Sequence, residues 1–407
     1  MAKAKKEINT GGRSTLPIKE ELWSQHQDEW RDPCQITSQW KEASQIDPRL
    51  LQYKVTGKWW DVLASSKITL MVTREYEHLV MAMTIFEGKP MISFMPMPHP
   101  SGLVVDHKRG IVHIASTRNP NQIYDLMPTN GLLIRGDIKT TPLQGQYLIP
   151  VRSRFFPGCL YVHDLGIIGG QLYANAVGQN LVVKIKDCGR FEPVWWPKCV
   201  ENKKGIITHL NHLQLNSIAG GKSINSSFFT ASTDQITKRR PGHKNFPVDK
   251  RGVVFSGKTG VAIARGLTRP HSARIHKKQI WVDNSGYGEL GIVEDGCFAP
   301  ILKLPGWTRG LCFHKNIAFV GTSKVIPRFR NYAPGLEVDQ SVCGIHAVDT
   351  KTHRVLGSIT WPYGNQIFSV DWTKSAFCKG FPFLNERKVE KEKSFFYSYK
   401  TSLQSKG

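Results

Sequence analysis

The chain has 407 residues, 40% of them hydrophobic and 21% charged, which is ordinary composition for a water-soluble globular protein with ample material for a core. Lys and Arg outnumber Asp and Glu by 55 to 32, a formal excess of 23 that favours anionic partners over cationic ones. No run is long enough to span a membrane, no leader-like apolar stretch follows Met1, and the eight cysteines form no C-x-x-C pair, so a disulfide framework and a zinc knuckle are both excluded and a cytoplasmic location is expected.

Residues 1–66 are expected to form a lead-in segment, partly helical. They are polar, poor in β-branched runs and rich in tryptophan (Trp23, Trp30, Trp40, Trp59 and Trp60), and 50–65 reads as one or two short helices. From Ile68 onward short apolar runs alternate with Gly, Asn, Asp and Pro, the pattern of strands and turns. Three runs come first, at 68–73, 78–86 and 90–97.

A phrase then recurs: a polar opening, an apolar strand, a turn, and a second strand that ends in small polar residues. It opens at Ser101, His163, Leu215, His271 and Thr308, and a sixth opening at Ile367 has no second strand after it. The five steps cover 266 residues, about 53 each, which suits four-stranded propeller blades with some long loops. The orphan strands of 68–97 supply what the sixth copy lacks. The sequence therefore predicts an all-β, six-bladed β-propeller over 67–374, with its last blade built from 68–97 and the inner strand 367–372. A basic tail, 375–407, follows.

In a propeller the start of each inner strand and the end of each second strand converge on one mouth. The opening layer comprises Gly102, Asp164, Asn216, Ser272, Arg309 and Phe368, with His163 and His271 one residue earlier and His99 just before the first copy. The second-strand ends add Thr117, Arg118, Asn119, Asn175, Asn180, Ser232, Asn284, Glu289 and Lys324. Converging donors and acceptors of this kind suit a ligand pocket. Asn175, Asn180 and Asn284 equally suit turns that bond their own backbone.

Three chemistries are open to this mouth. His163, backed by Asp164, and His271 are candidate acid–base residues. His99, His163 and His271 are a candidate set for a divalent metal, although no local ligand spacing supports them. Asn216, Arg309, Lys324, Asn284, Glu289 and Arg118 are candidate ligand-binding residues, with Arg309 suited to a carboxylate, phosphate or sulfate. Basic loops at 238–251, and Lys324, Arg328 and Arg330, overhang the same mouth and would steer an anion inward. They have few interleaved aromatics, so an anionic small molecule or glycan is expected before nucleic acid. Use of the outer blade surface as a protein-interaction scaffold is the remaining alternative.

The phrases His163-Asp-Leu, Leu215-Asn-Ser, Pro270-His-Ser, Asn284-Ser-Gly-Tyr-Gly-Glu-Leu-Gly, Pro305-Gly-Trp-Thr-Arg-Gly-Leu and Val320-Gly-Thr-Ser-Lys resemble a family of uncharacterised bacterial propeller proteins, found alone or joined to tetratricopeptide repeats. The resemblance runs from about Trp59 to Trp372 and implies a propeller without implying an activity. The phrasing is also similar to that of NHL-type and sugar-lactone-hydrolase propellers, which place metal-binding carboxylates at the channel mouth. Here Glu289 and Asp164 are the only obvious acidic candidates, which argues against a calcium lactonase.

Overall fold

The structure, a computed structural model, describes residues 43, 45–117, 121–128, 147–156, 160–187, 189–243 and 245–384, with the side chains of 328 and 384 excepted. Six antiparallel sheets follow one another around a ring, so the chain is a six-bladed β-propeller. Numbered in chain order, blade 1 runs inner to outer through Pro100–Asp106, Ile111–Ser116, Asn121–Pro128 and Leu148–Phe156. Blade 2 is Val162–Ile168, Gln171–Ala176, Leu181–Ile185 and Phe191–Trp195, and blade 3 is Leu215–Ala219, Phe228–Ala231, Gly252–Ser256 and Ala262–Leu267. Blade 4 is Pro270–His276, Gln279–Asn284, Glu289–Glu294 and Cys297–Lys303. Blade 5 begins Trp307–His314, Ile317–Ser323, Gly344–Asp349 and Arg354–Thr360.

Blade 6 joins the two ends of the ring. Its inner strand Ser369–Lys374 pairs antiparallel with Ile68–Arg74, which continues into Leu79–Phe86 and Lys89–Pro96. The register sets Thr73 opposite Ser369 and Ile68 opposite Lys374. Buried and half-buried apolar side chains cement this blade to its neighbour, among them Leu70, Met81, Phe319, Ile345, Trp361, Ile367, Val370 and Trp372.

The ring also takes in strands beyond the expected limits of 67 and 374. Lys54–Gly57 adds a fifth strand outside blade 5 by pairing with Arg354–Thr360, and Phe383–Leu384 adds one outside blade 6 by pairing with Lys89–Pro96. Among the described residues, helical structure near the start includes a 3-10 turn, Pro48–Leu51, and the helix Trp59–Ser66. Trp59 is fully buried and meets Phe319 of blade 5 edge-on at 6.1 Å between ring centres. Its approach requires a glycine: a Cβ on Gly357 would come within 2.4 Å of the Trp59 backbone nitrogen. Trp23, Trp30 and Trp40 lie outside the described residues.

Inner and second strands are buried on both faces, because a blade packs on each side of them; Ile68–Arg74 and Val162–Ile168 are almost wholly buried. Outer strands such as Cys297–Lys303 are half exposed. In blades 1 to 5 the inner strand carries a register shift at its opening, between Pro100 and Leu103, Val162 and Leu165, Leu215 and Ser217, His271 and Arg274, and Thr308 and Leu311. A bulge inserts an extra residue and re-aims side chains. The repeated polar openings of the sequence are these bulges.

Candidate functional site

The bulges of blades 2, 4 and 5 bring their opening residues together at the mouth, beside Phe368 just ahead of the inner strand of blade 6. Arg309 of blade 5 lies between His163 of blade 2 and His271 of blade 4. Its Nη2 is 3.0 Å from His163 Nε2, and its Nε donates to His271 Nε2 at 3.2 Å. The guanidinium carbon stands 3.7 Å from the ring centre of Phe368, at the start of blade 6. The two imidazoles are 5.1 Å apart between centres, and all four residues are 7% exposed or less.

A guanidinium has only donors, so both Nε2 atoms accept and the ring protons sit on Nδ1. The partners agree. His163 Nδ1 donates to the Asn216 carbonyl at 3.2 Å, and His271 Nδ1 to Ser272 Oγ at 2.8 Å. Ser272 Oγ also receives the Gly310 amide at 2.7 Å, tying the bulge of blade 4 to that of blade 5. Asn216 Nδ2 donates to the Pro270 carbonyl at 2.9 Å and to Ser232 Oγ at 3.2 Å, and Arg269 donates to the same hydroxyl at 3.1 Å.

Burial, reinforced by the charge of Arg309, holds both imidazoles well below the ordinary histidine range, so they are neutral at pH 7. Burial also pushes Arg309 down to about 10, against the pull of Glu75. Arg309 remains a cation, and among the described residues no carboxylate pairs with it. Its Nη1 makes no hydrogen bond among the described residues, and Asn216 Oδ1 is buried with none.

The other expected residues fall elsewhere. Asp164 does not back His163. It accepts the Ile218 amide at 3.0 Å and pairs with Arg274 Nη1 at 3.1 Å, because the bulge turns it along the channel toward blades 3 and 4. Asn284 and Glu289 bond each other at 2.8 Å, and Asn284 Oδ1 takes the Thr268 amide at 2.7 Å, so the pair holds the entry to blade 4. Asn180 accepts the amides of His212 and Leu213 and clamps the loop before blade 3. Lys324 Nζ donates to the Pro362 carbonyl. His99 packs on His78, ring centres 4.3 Å apart, and not on the His163–His271 pair. Arg118 and Asn119 lie outside the described residues.

The donor set does not suit a metal. Among the described residues no three His, Cys, Asp or Glu side chains are grouped as a metal requires, and the Nε2 lone pairs of His163 and His271 both face the Arg309 guanidinium. The carboxylates of Asp164 and Glu289 are engaged by Arg274 and Asn284.

Sequence reasoning missed Glu75 and Arg269. Glu75 accepts from Thr117 Oγ1 at 2.8 Å and faces Arg309 electrostatically. The signal was present: Glu75 directly follows the second strand of blade 6, as Thr117 follows that of blade 1. Arg269 directly precedes the inner strand of blade 4, and its guanidinium lies 4.8 Å from the Tyr332 ring centre.

Fold and mouth together define a six-bladed propeller closed by both ends of its chain, with a buried guanidinium where its inner strands begin. The chain belongs to the family of the domain of unknown function DUF4915, whose profile matches residues 57–379. No curated protein matches it. Among solved structures, a chain of the nidogen/laminin complex is similar over 76% of this chain and 100% of that one, with 8% identity and a TM-score of 0.51. A gluconolactonase from Xanthomonas campestris matches at 11% identity, 78% and 93% coverage and a TM-score of 0.41. A putative 6-phosphogluconolactonase from Bacteroides uniformis matches at 11% identity, 71% and 80% coverage and a TM-score of 0.37. At 8% identity the first of these likenesses speaks to fold alone.

Proposed function

We propose that this propeller is a binding protein whose mouth receives the anionic group of a small molecule or glycan over Arg309. The observation that carries the reading is a buried guanidinium with no carboxylate in contact among the described residues, Glu75 acting on it only from beyond ion-pair distance. Cations are rarely buried without a counter-charge, because desolvation costs several kcal/mol. A fall from the ordinary arginine range to about 10 amounts to about 3 kcal/mol against the charged form. A carboxylate, sulfate or phosphate meeting Nη1 offsets that cost with charge-assisted hydrogen bonds. Two neutral imidazoles and the Phe368 face hold the guanidinium in one orientation before the ligand arrives.

The same geometry favours binding over acid–base chemistry. Each histidine spends one nitrogen on Arg309 and the other on a fixed acceptor. A cytoplasmic location accords with the five described cysteines, all free thiols. Among the described residues no helix is long and apolar enough to cross a membrane.

The test is a thermal-shift and calorimetric screen in chloride buffer with acetate, citrate, glucuronate, sulfate, phosphate and glucose 6-phosphate. At least one is expected to raise the melting temperature of the wild type and to leave Arg309→Met unaffected. A ligand at 100 times its Kd stabilises by about 2.7 kcal/mol, well within detection. Equal binding by Arg309→Met, or no response to any anion, defeats the reading.

A further inference from the structure

The opposite end of the channel carries a second, differently built surface. Inner strands begin at the Arg309 mouth, so the turns into the second strands encircle the other exit. Along the arc of adjacent blades 4, 5, 6 and 1 these turns present Lys277 and Lys278, Lys315, Lys67, and Lys108 with Arg109, all exposed. Among the described residues only Arg109 of this set is ion-paired, to Asp106 at 3.4 Å. Acidic residues such as Asp187, Glu294 and Asp349 stand at the third-to-fourth-strand turns farther out, and the two within the arc are engaged, Asp106 by Arg109 and Asp371 by the Val105 amide at 2.8 Å.

Turn chemistry does not account for the lysines. Lys277 and Lys278 form a two-residue hairpin turn with φ of 48° and 67°, and Lys67 and Lys315 have φ of 54° and 53°. Glycine and asparagine are preferred at such positions. Blade 2 shows the usual solution in the same turn, Gly169 and Gly170. Lysine therefore stands here against local preference, where it gains its charge and, for Lys277, a hydrogen bond to Asn316 of the next blade's turn.

Aromatic rings fill the inside of the same arc. Trp372 lies between His107 and His314, with ring centres at 4.7 and 4.5 Å, and its Nε1 is fixed by the Phe313 carbonyl at 2.7 Å. His276 stacks flat on Phe313, 4.3 Å between centres and 7° between planes. His107 is exposed and the other rings are half-buried. None of the large exposed hydrophobic side chains of the described residues lies in these turns, so apolar anchors for a bilayer are missing from the arc.

We infer that this arc binds single-stranded nucleic acid, with the lysines following the phosphates and the ring cluster beneath them offering faces on which bases stack. The site is separate from the Arg309 mouth and does not depend on it.

The experiment is fluorescence anisotropy of the full chain with a labelled 20-nucleotide oligouridylate from 50 to 300 mM NaCl. In a triple variant, Lys277→Asn, Lys278→Gly and Lys315→Gly supply the residues those turns prefer, so its melting temperature should equal or exceed that of the wild type. Its affinity is expected to fall at least tenfold, and its salt slope by about 2, the value for losing three phosphate contacts on a single strand. His107→Ala should weaken binding fivefold or more at an unchanged salt slope. No binding at 50 mM NaCl overturns the proposal, as does unchanged affinity in the triple variant or an unchanged affinity in His107→Ala. Capture by phosphatidylserine vesicles without oligouridylate binding overturns it in favour of a membrane surface.

Discussion

Lowering the pH should destabilise this protein through the two histidines of the mouth. In the unfolded chain an imidazole titrates near 6.5. In the fold, burial and the Arg309 charge keep His163 and His271 neutral well below that value. Below pH 6.5 the unfolded state therefore binds more protons than the folded one, and stability falls as the pH falls. Each imidazole contributes up to about 1.4 kcal/mol per pH unit, so between pH 6.5 and 5.0 the pair removes at most about 3 kcal/mol. That is a large part of the 5–15 kcal/mol typical of a folded domain. Other groups titrate as well. His346 is pushed down to about 4 by burial and acts in the same direction, whereas burial raises Asp283 well above the carboxylate range and opposes it. A comparison removes both. His163→Gln with His271→Gln keeps a carbonyl oxygen close to where each Nε2 accepted from Arg309, and leaves His346 and Asp283 in place. Urea denaturation followed by circular dichroism, at half-unit steps from pH 7.0 to 5.0, should show the wild type losing more stability than the double variant, by up to about 3 kcal/mol between pH 6.5 and 5.0. Parallel curves would mean that the imidazoles titrate normally in the fold, and the picture of two neutral acceptors around a cation would be wrong.

Three further outcomes follow from the packing. Gly102→Ala places a Cβ 2.7 Å from the Asp164 Cα and the Leu165 nitrogen, backbone atoms of the next blade that cannot swing aside, and should cost about 1–3 kcal/mol in urea denaturation. Arg274→Met leaves the Asp164 carboxylate without its cation and should destabilise by about 3–5 kcal/mol, while adding Asp164→Asn should recover at least half of the loss; no recovery would show that the pair is not the cause. Deleting the chain from 367 onward removes the inner strand of blade 6 and exposes Ile68–Arg74 as an open edge, so the product should aggregate or lose its cooperative melt, and a sharp wild-type transition would contradict the closure.

The parts of the fold legible in the sequence are those buried on both sides. First and second strands lie between neighbouring blades, so they are written as apolar runs with polar ends, and their spacing gave the blade count. Third and fourth strands such as Phe191–Trp195 are half exposed and leave weaker traces. The edge strands Lys54–Gly57 and Phe383–Leu384 left none, being short and on the rim. Closure was inferable because a missing half-blade at one end matched a surplus at the other, and pairing of Thr73 with Ser369 is a contact across 296 residues of chain. Within the site, the meeting of His163, His271, Arg309 and Phe368 could be read from their shared place in the repeat. Their mutual hydrogen bonds could not, since these depend on tautomers and on distances of a few tenths of an ångström.

The misplacement of Asp164 shows what a repeat alignment lacks. In a regular strand, neighbours point to opposite sides, and a repeat gives each position one direction. In blade 2, Val162 faces Ala176 and Leu165 faces Ala174, so His163 and Asp164 together oppose the single residue Asn175. Inside that bulge adjacent residues part along the channel axis. His163 turns up to the Arg309 cation at the mouth, and Asp164 turns inward to the Arg274 cation and the Ile218 amide. The acid adjacent to His163 in the chain is thus spent on Arg274, one layer below the mouth. Arg309 has neutral imidazoles where a carboxylate would have closed the site to any anion from outside. A carboxylate moved up into that layer tests the point directly. His271→Asp should pair with Arg309, restore its ordinary high pKa and abolish anion binding, while His271→Asn keeps the site neutral and should bind anions as the wild type does. If both variants bind equally, the neutrality of the imidazoles is not what keeps the guanidinium open.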